Sequence, residues 1–289
     1  MRTRLFAAGG ALLAAMAAGI AATSAPAAHR DDAAAEKLGW RLCLQAYTLR
    51  SMTFYEVIDQ AAALGLKCIE MYPGQTLSRD NKVKADHNMP PEVRQEVRKK
   101  LQEAGLKLVC YGVVSLGNNE AAHRKVFDFA KEMGIENIVT ETTPTELLDR
   151  LCGEYGVNMA LHNHPKSWPP DQVLKACEGR SKRVGACADT GHWMRAGLNP
   201  VETLKKLQGR IICLHFKDLD AGHDVPWGAG KCDARAMLAE LKRQGFKGAI
   251  SMEYEYGNGA ELLGNLAKCV EFFDRTAAEL AREPSAPGG

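Results

Sequence analysis

Residues able to bind a cation or move a proton gather in five short stretches in the second half of the chain. These are Val139-Thr140-Glu141, Leu161-His162-Asn163-His164, Ala188-Asp189-Thr190-Gly191-His192-Trp193, Leu214-His215-Phe216-Lys217-Asp218 and Met252-Glu253-Tyr254-Glu255. A hard or borderline divalent cation takes carboxylate oxygens and imidazole nitrogens and keeps open positions for substrate oxygens. Glu141, Asp189, His215 and Glu253 are the candidate ligands on this reading. Three carboxylates gathered at one point repel one another and are driven towards protonation, a difficulty that a bound cation removes. One Glu or His at the end of a strand is ordinarily a solvated or hydrogen-bonded group. Its recurrence on four of five successive stretches points to a shared site. Glu141 has a competitor in nearby Glu146.

The elements that must position these groups alternate regularly. Short apolar, β-branched runs occur at Arg41–Tyr47, Lys67–Met71, Lys107–Val113, Asn137–Thr140, Val157–Leu161, Val184–Ala188, Ile211–Phe216 and Ala249–Tyr254. Amphipathic, helix-like segments lie between them, among them Phe54–Leu64, Pro91–Ala104, Ala121–Met133 and Ala234–Gln244. Gly65, Gly105, Gly134, Gly156 and Gly245 each stand between a helix-like segment and the next strand-like run, where glycine tolerates the left-handed backbone that ends a helix. Strands alternating with helices pair in parallel, and eight such units predict a single-domain (β/α)8 TIM barrel over residues 41–278. An open doubly wound sheet is the structural rival. No GxGxxG follows the first strand, so its nucleotide-binding form is disfavoured. In a barrel the C-terminal strand ends share one face, and the five chemistry-bearing stretches fall there.

Composition narrows the functional classes. The chain has 289 residues, 46% hydrophobic and 25% charged, with a formal net charge of +2. That balance supplies no basic field for a phosphate backbone, so a nucleic-acid partner is not expected. Arg2 and Arg4 precede an Ala/Leu/Gly-rich run from Leu5 to Ala22, followed by Ser24-Ala25-Pro26-Ala27-Ala28. This is the pattern of a secretory signal peptide over residues 1–28, cleaved near Ala27 or Ala28, with a linker at 29–40 and a flexible tail at 279–289. A periplasmic or secreted protein follows, with no membrane contact after cleavage. Retention as an anchor is the rival, and the marginal hydrophobicity of an Ala/Gly-rich run argues against it. The nine cysteines are odd in number and lack a CxxC pair. Cys43, Cys68, Cys110, Cys187 and Cys213 fall in strand-like runs, as expected of free thiols packed in a core rather than disulfides or a zinc-thiolate site.

Together, Asp189-Thr190-Gly191-His192, Leu214-His215-Phe216-Lys217-Asp218 and Met252-Glu253-Tyr254 resemble the xylose-isomerase-like barrel superfamily, and within it the sugar phosphate isomerase/epimerase group that includes the ketose 3-epimerases. The resemblance implies one Mn²⁺, Mg²⁺ or Co²⁺, Mn²⁺ foremost, held by Glu141, Asp189, His215 and Glu253. It implies that His192 touches a substrate oxygen and that His164, in the His162-Asn163-His164-Pro165 run, lines the pocket beside His162. It further implies proton abstraction next to a metal-polarised carbonyl, with Glu141 and Glu253 as the two acid–base groups flanking a small sugar. Lys217 and His192 could steady the developing oxyanion, and Trp193, Trp227 and Tyr47 offer flat faces for a sugar ring. Two features depart from the simple epimerases. Ala221-Gly222-His223-Asp224 stands where they commonly place an Arg, and an export segment is foreign to an enzyme of phosphorylated sugars. Both point to a non-phosphorylated ketose, keto-sugar or glycoside.

Four rivals use the same residues differently. A 3-keto-glycoside lyase shares the proton abstraction and expels an aglycone. A DNA-repair endonuclease of this superfamily needs histidines at early strand ends, where this chain has Gln45, Glu70-Met71-Tyr72 and Tyr111. A sugar-binding barrel has no turnover, and a glycosidase leaves Asp189 and His215 without a role. The sequence leaves self-association into a homo-oligomer open.

Overall fold

The computed structural model describes residues 30–284; the expected signal peptide lies outside them. Eight parallel strands close into a barrel: β1 (Trp40–Gln45), β2 (Cys68–Met71), β3 (Lys107–Tyr111), β4 (Asn137–Thr140), β5 (Asn158–His162), β6 (Val184–Asp189), β7 (Ile211–Phe216) and β8 (Gly248–Met252). Neighbours in sequence are neighbours in the ring, and β8 closes onto β1 with Trp40 opposite Gly248 and Leu44 opposite Met252. Ten helices are described: α1 (Ala33–Leu38), α2 (Phe54–Ala63), α3 (Pro91–Glu103), α4 (Glu120–Met133), α5 (Glu146–Tyr155), α6 (Pro170–Ala176), α7 (Thr190–Arg195), α8 (Pro200–Lys206), α9 (Ala234–Arg243) and α10 (Gly259–Arg282). The (β/α)8 expectation is met, with strand ends displaced by up to two residues. No described helix is long and apolar enough to cross a membrane.

Local chemistry sets the helix ends. Thr53 accepts from Glu56 N while the Glu56 carboxylate accepts from Thr53 N, a capping box that starts α2. Asn119, Thr145 and Asp233 cap α4, α5 and α9 through their side chains. Gly134 and Gly156 end α4 and α5 at φ 74° and 71°, a region that a Cβ disfavours.

Two regions depart from the expected boundaries. The 29–40 segment holds α1, which packs beside α10, and the Trp40 ring nitrogen donates to the Phe246 carbonyl at 3.1 Å. At the other end α10 runs to Arg282, because Phe273, Ala277 and Leu280 keep its inner face buried. The main core lies between barrel and helices. A smaller one fills the barrel interior with Cys43, Cys68, Val109, Cys110, Val139, Ala160, Cys187, Cys213 and Ala249. All nine cysteines are buried free thiols.

Candidate functional site

Each motif has a local structural reason. Asp189 is the last residue of β6 and the N-cap of α7: its Oδ1 accepts from His192 N at 2.7 Å, leaving Oδ2 for the barrel axis. Thr190 Oγ1 accepts from Lys217 N at 2.8 Å and donates to Lys217 O at 2.9 Å, which locks β6 to the end of β7. A Cβ on Gly191 would stand 2.7 Å from Lys217 Cδ, so this glycine is the space through which the lysine stem passes. Asn163 donates to Asp189 O and accepts from Asp189 N, fixing the aspartate backbone from β5. Asp218 accepts from the backbone N–H groups of Gly228, Gly230 and Cys232 and shapes the loop after β7.

At the barrel mouth, ligand-type atoms of His162, Asp189, His215 and Glu253, all buried, lie within 4.8 Å of one another. Four strands, β5 to β8, deliver them. His162 Nε2 is 3.5 Å and His192 Nε2 3.6 Å from Asp189 Oδ2, and His215 Nδ1 is 3.1 Å from Glu253 Oε2. Both His162 ring nitrogens, His215 Nδ1 and Glu253 Oε2 are buried without a hydrogen bond of proper geometry. Orphaned buried donors are costly, and here they converge with mixed imidazole and carboxylate chemistry, so the residues fit a divalent cation.

Three of the four expected ligands, Asp189, His215 and Glu253, come together in this cluster with His162. Glu141 stands one residue beyond β4, and its carboxylate is drawn outward, accepting from Ser167 Oγ at 2.5 Å and meeting His164 Nδ1 at 2.7 Å. It groups with the exposed His164 and with the buried His162, which is also the member shared with Asp189, His215 and Glu253. His162, expected only to touch substrate, takes the inner place. Isothermal titration with Mn²⁺ is expected to show about one ion per chain. His162→Ala should lose on the order of 100-fold in affinity, and Glu141→Ala less than about 3-fold. The reverse order would return Glu141 to the centre.

Glu70 went unremarked as a functional residue because its partners are distant in sequence. Fully buried at the end of β2, it accepts from Ser251 Oγ at 2.5 Å and from Gln45 Nε2 at 3.1 Å, and lies 2.8 Å from His215 Nε2. A carboxylate only accepts, so His215 Nε2 carries a proton and Nδ1 turns to the centre. Glu70→Gln is expected to lower Mn²⁺ affinity by about 10- to 100-fold with the barrel still folded, as read by titration and circular dichroism. Unchanged affinity would make Glu70 a packing residue only.

Lys217 is fully buried, its Nζ 2.8 Å from Asp189 Oδ2, 2.8 Å from Glu253 Oε2 and 3.0 Å from Glu255 Oε2. Burial would raise the Asp189 and Glu253 carboxyls, but the Lys217 ammonium, with nearby imidazoles, holds both well below the usual carboxylate range. His215 goes the other way. Burial disfavours its charge, and the Glu70 and Glu253 carboxylates overcome that. Burial pushes His192 down to about 4. Arg195 Nη1 lies 3.2 Å from His192 Nδ1 and can only donate, so His192 is neutral with its proton on Nε2, facing Asp189.

A cavity of about 250 Å³ opens above the cluster, lined by Gln45, Tyr47, Tyr72, Gly112, Val113, His162, His164, His192, Glu253 and Glu255. Of the three expected aromatic faces, only Tyr47 lines it. Trp193 and Trp227 are 2% and 3% exposed, and Trp227 packs on Phe216 with ring centroids 4.6 Å apart. The sequence shows that these rings are flat and apolar, and the fold uses them as core.

With fold and site in view, the likeness to known proteins is specific. Residues 58–276 match the xylose isomerase-like TIM barrel family. An uncharacterized protein from Parabacteroides distasonis superposes with a TM-score of 0.68 at 33% identity, over 82% of this chain and 99% of that one. A D-psicose 3-epimerase solved in the presence of D-fructose superposes at 0.61 with 14% identity, over 83% of this chain and 97% of that one, a likeness of fold. The rhizopine catabolism protein MocC of Rhizobium meliloti is 25% identical over 177 residues; the chain spans about half (54%) of that relative's length, and the match covers 54% of this chain. The closed eight-stranded barrel and the match over most of its length agree: this chain belongs to the xylose isomerase-like TIM barrel family.

Proposed function

We propose that this protein is a divalent-metal-dependent sugar isomerase/epimerase-type enzyme that removes a proton next to the carbonyl of a non-phosphorylated keto-sugar. The observation that carries this reading is the convergence of buried, unsatisfied His162, His215 and Glu253 atoms with Asp189 beneath one small cavity. His162, Asp189, His215 and Glu253 would hold the ion, with Mn²⁺ favoured over Mg²⁺ by two imidazoles. When bound, such an ion polarises a carbonyl and a neighbouring hydroxyl and so acidifies the C–H between them.

Glu253 is the base. Asp189 has one oxygen on His192 N and the other on Lys217, whereas Glu253 Oε2 lacks an aligned hydrogen bond and its residue lines the cavity. Lys217 Nζ and the His192 Nε2–H supply positive charge and a donor for oxygen that becomes negative. The inward-facing cations favour an uncharged substrate: Lys217 is shared by Asp189, Glu253 and Glu255, and Arg195 by Asp224 and Glu255, leaving neither for a phosphate. The expected export segment would place this activity outside the cytoplasm.

With Glu141 at the rim, one inner carboxylate serves one face of the substrate. Return of the proton to the adjacent carbon on that face gives isomerisation, whereas 3-epimerisation needs a second group on the opposite face. The same one-face arrangement favours a second reading, β-elimination from a 3-keto-glycoside. The test is a screen of non-phosphorylated ketoses and 3-keto-glycosides with Mn²⁺ in D₂O. An isomer or epimer carrying solvent deuterium supports the first reading and release of aglycone the second. Absence of both, with no stoichiometric metal, would overturn the enzyme assignment in favour of a binding barrel.

A further inference from the structure

We propose that an arc of ring-bearing side chains on one half of the barrel mouth is a second subsite, built to take the second ring of a glycoside. The proposal rests on the carbohydrate reading above and narrows its substrate class from free monosaccharides to glycosides. Tyr256, in the loop after β8, is 50% exposed, the one exposed large hydrophobic among the described residues. An exposed tyrosine alone carries little. This one is held flat: the His223 ring, from the hairpin after β7, stacks on it with centroids 4.0 Å apart and an interplanar angle of 12°.

The stack adjoins the site. Glu255, the residue before Tyr256, reaches Lys217 Nζ at 3.0 Å, and its carbonyl accepts from Arg50 Nη2 at 3.3 Å. The Arg50 guanidinium lies 4.9 Å from the centre of the Tyr47 ring, which meets Tyr72 edge-on at 4.9 Å. Tyr47 and Tyr72 in turn line the cavity beside His162, His192 and Glu253. The arc thus follows the loops after β7, β8, β1 and β2, which are consecutive around the ring. The opposite rim, after β4 and β5, carries Glu141, His164, Ser167 and Trp168, tied to one another by hydrogen bonds, with Trp168 Nε1 donating to the Glu141 carbonyl.

Size and chemistry fix the occupant. A cavity of about 250 Å³ is smaller than the roughly 300–1,000 Å³ that encloses a drug-sized ligand, so it suits one sugar ring, and a second must lie over the rim. A pyranose presents C–H groups on its faces and hydroxyls on its edge. Flat aromatic faces receive the former, and Arg50 and His223 can bond the latter.

Calorimetric titration of the Mn²⁺-loaded protein with methyl β-glucoside (one ring) and cellobiose (two rings) tests this. Cellobiose is expected to bind about 3- to 10-fold more tightly. Tyr256→Ala should abolish that difference without changing the affinity for methyl β-glucoside, and Tyr256→Phe should keep it. Equal affinities in the parent protein overturn the subsite and leave the carbohydrate reading standing, as does a difference that survives Tyr256→Ala or a loss that affects both probes equally. Failure of both sugars to bind overturns the subsite, whereas the keto-sugar reading falls only with the D₂O screen.

Discussion

Glu253→Gln is expected to lower kcat by about three orders of magnitude, within the 10²–10⁴ contributed by a positioned general base. Glutamine keeps the shape and one oxygen of the side chain but cannot take a proton. Glu253 lies at the end of β8 at 6% exposure, with His215 Nδ1 3.1 Å and Lys217 Nζ 2.8 Å from Oε2. Both partners keep other carboxylates in the variant, Glu70 for His215 and Asp189 with Glu255 for Lys217. The barrel should therefore fold, and KM should change less than kcat. Steady-state kinetics at saturating Mn²⁺ on the substrate found in the D₂O screen, with bound Mn²⁺ as the loading check and circular dichroism as the folding check, measure this. A variant keeping more than about a tenth of the parent's turnover would move the base elsewhere, Glu255 being the other carboxylate that lines the cavity.

The second large effect is on stability. Lys217→Met removes the ammonium shared by Asp189, Glu253 and Glu255 while keeping the length of the stem that passes Gly191. Removing one partner of a buried ion pair costs about 3–5 kcal/mol, because it strands the other charge away from water. For a barrel of this size that corresponds to a fall in Tm of roughly 6–20 °C. The pH dependence follows from the depressed Asp189 and Glu253 carboxyls. Their folded values lie below the unfolded ones, so the stability they contribute is present above about pH 4 and is lost on acidification. The gap between parent and variant should accordingly be wide at pH 7.5 and narrow below about pH 4. Mn²⁺ should raise the variant's Tm more than the parent's, since a divalent ion replaces the missing charge. Thermal melts at both pH values, with EDTA or Mn²⁺, read all three effects. Equal melting temperatures at pH 7.5 would show that the carboxylates find water or protons instead.

Alternating strand and helix signals, with glycine at five helix ends, determined the barrel from sequence. That regularity is local: a left-handed φ at Gly134 or Gly156 and a capping box at Thr53 depend on residues a few positions apart. The same locality placed Asp189, His215 and Glu253 at strand ends, and barrel closure then brings such ends together. What only the tertiary structure decided is which side chain faces the axis and what each one meets there. Glu141 and His162 end neighbouring strands with equally plausible chemistry, and the choice fell to His164 and Ser167, which hold the glutamate at the rim. Glu70 and His215 are 145 residues apart, so no sequence window contains both. Trp193 and Trp227 read as sugar-facing surfaces until packing buried them, and Tyr256 and His223 became a flat surface only when two loops from adjacent strands met. Elements follow from neighbours along the chain, whereas the site follows from partners across it, and those partners are set by closure of the ring.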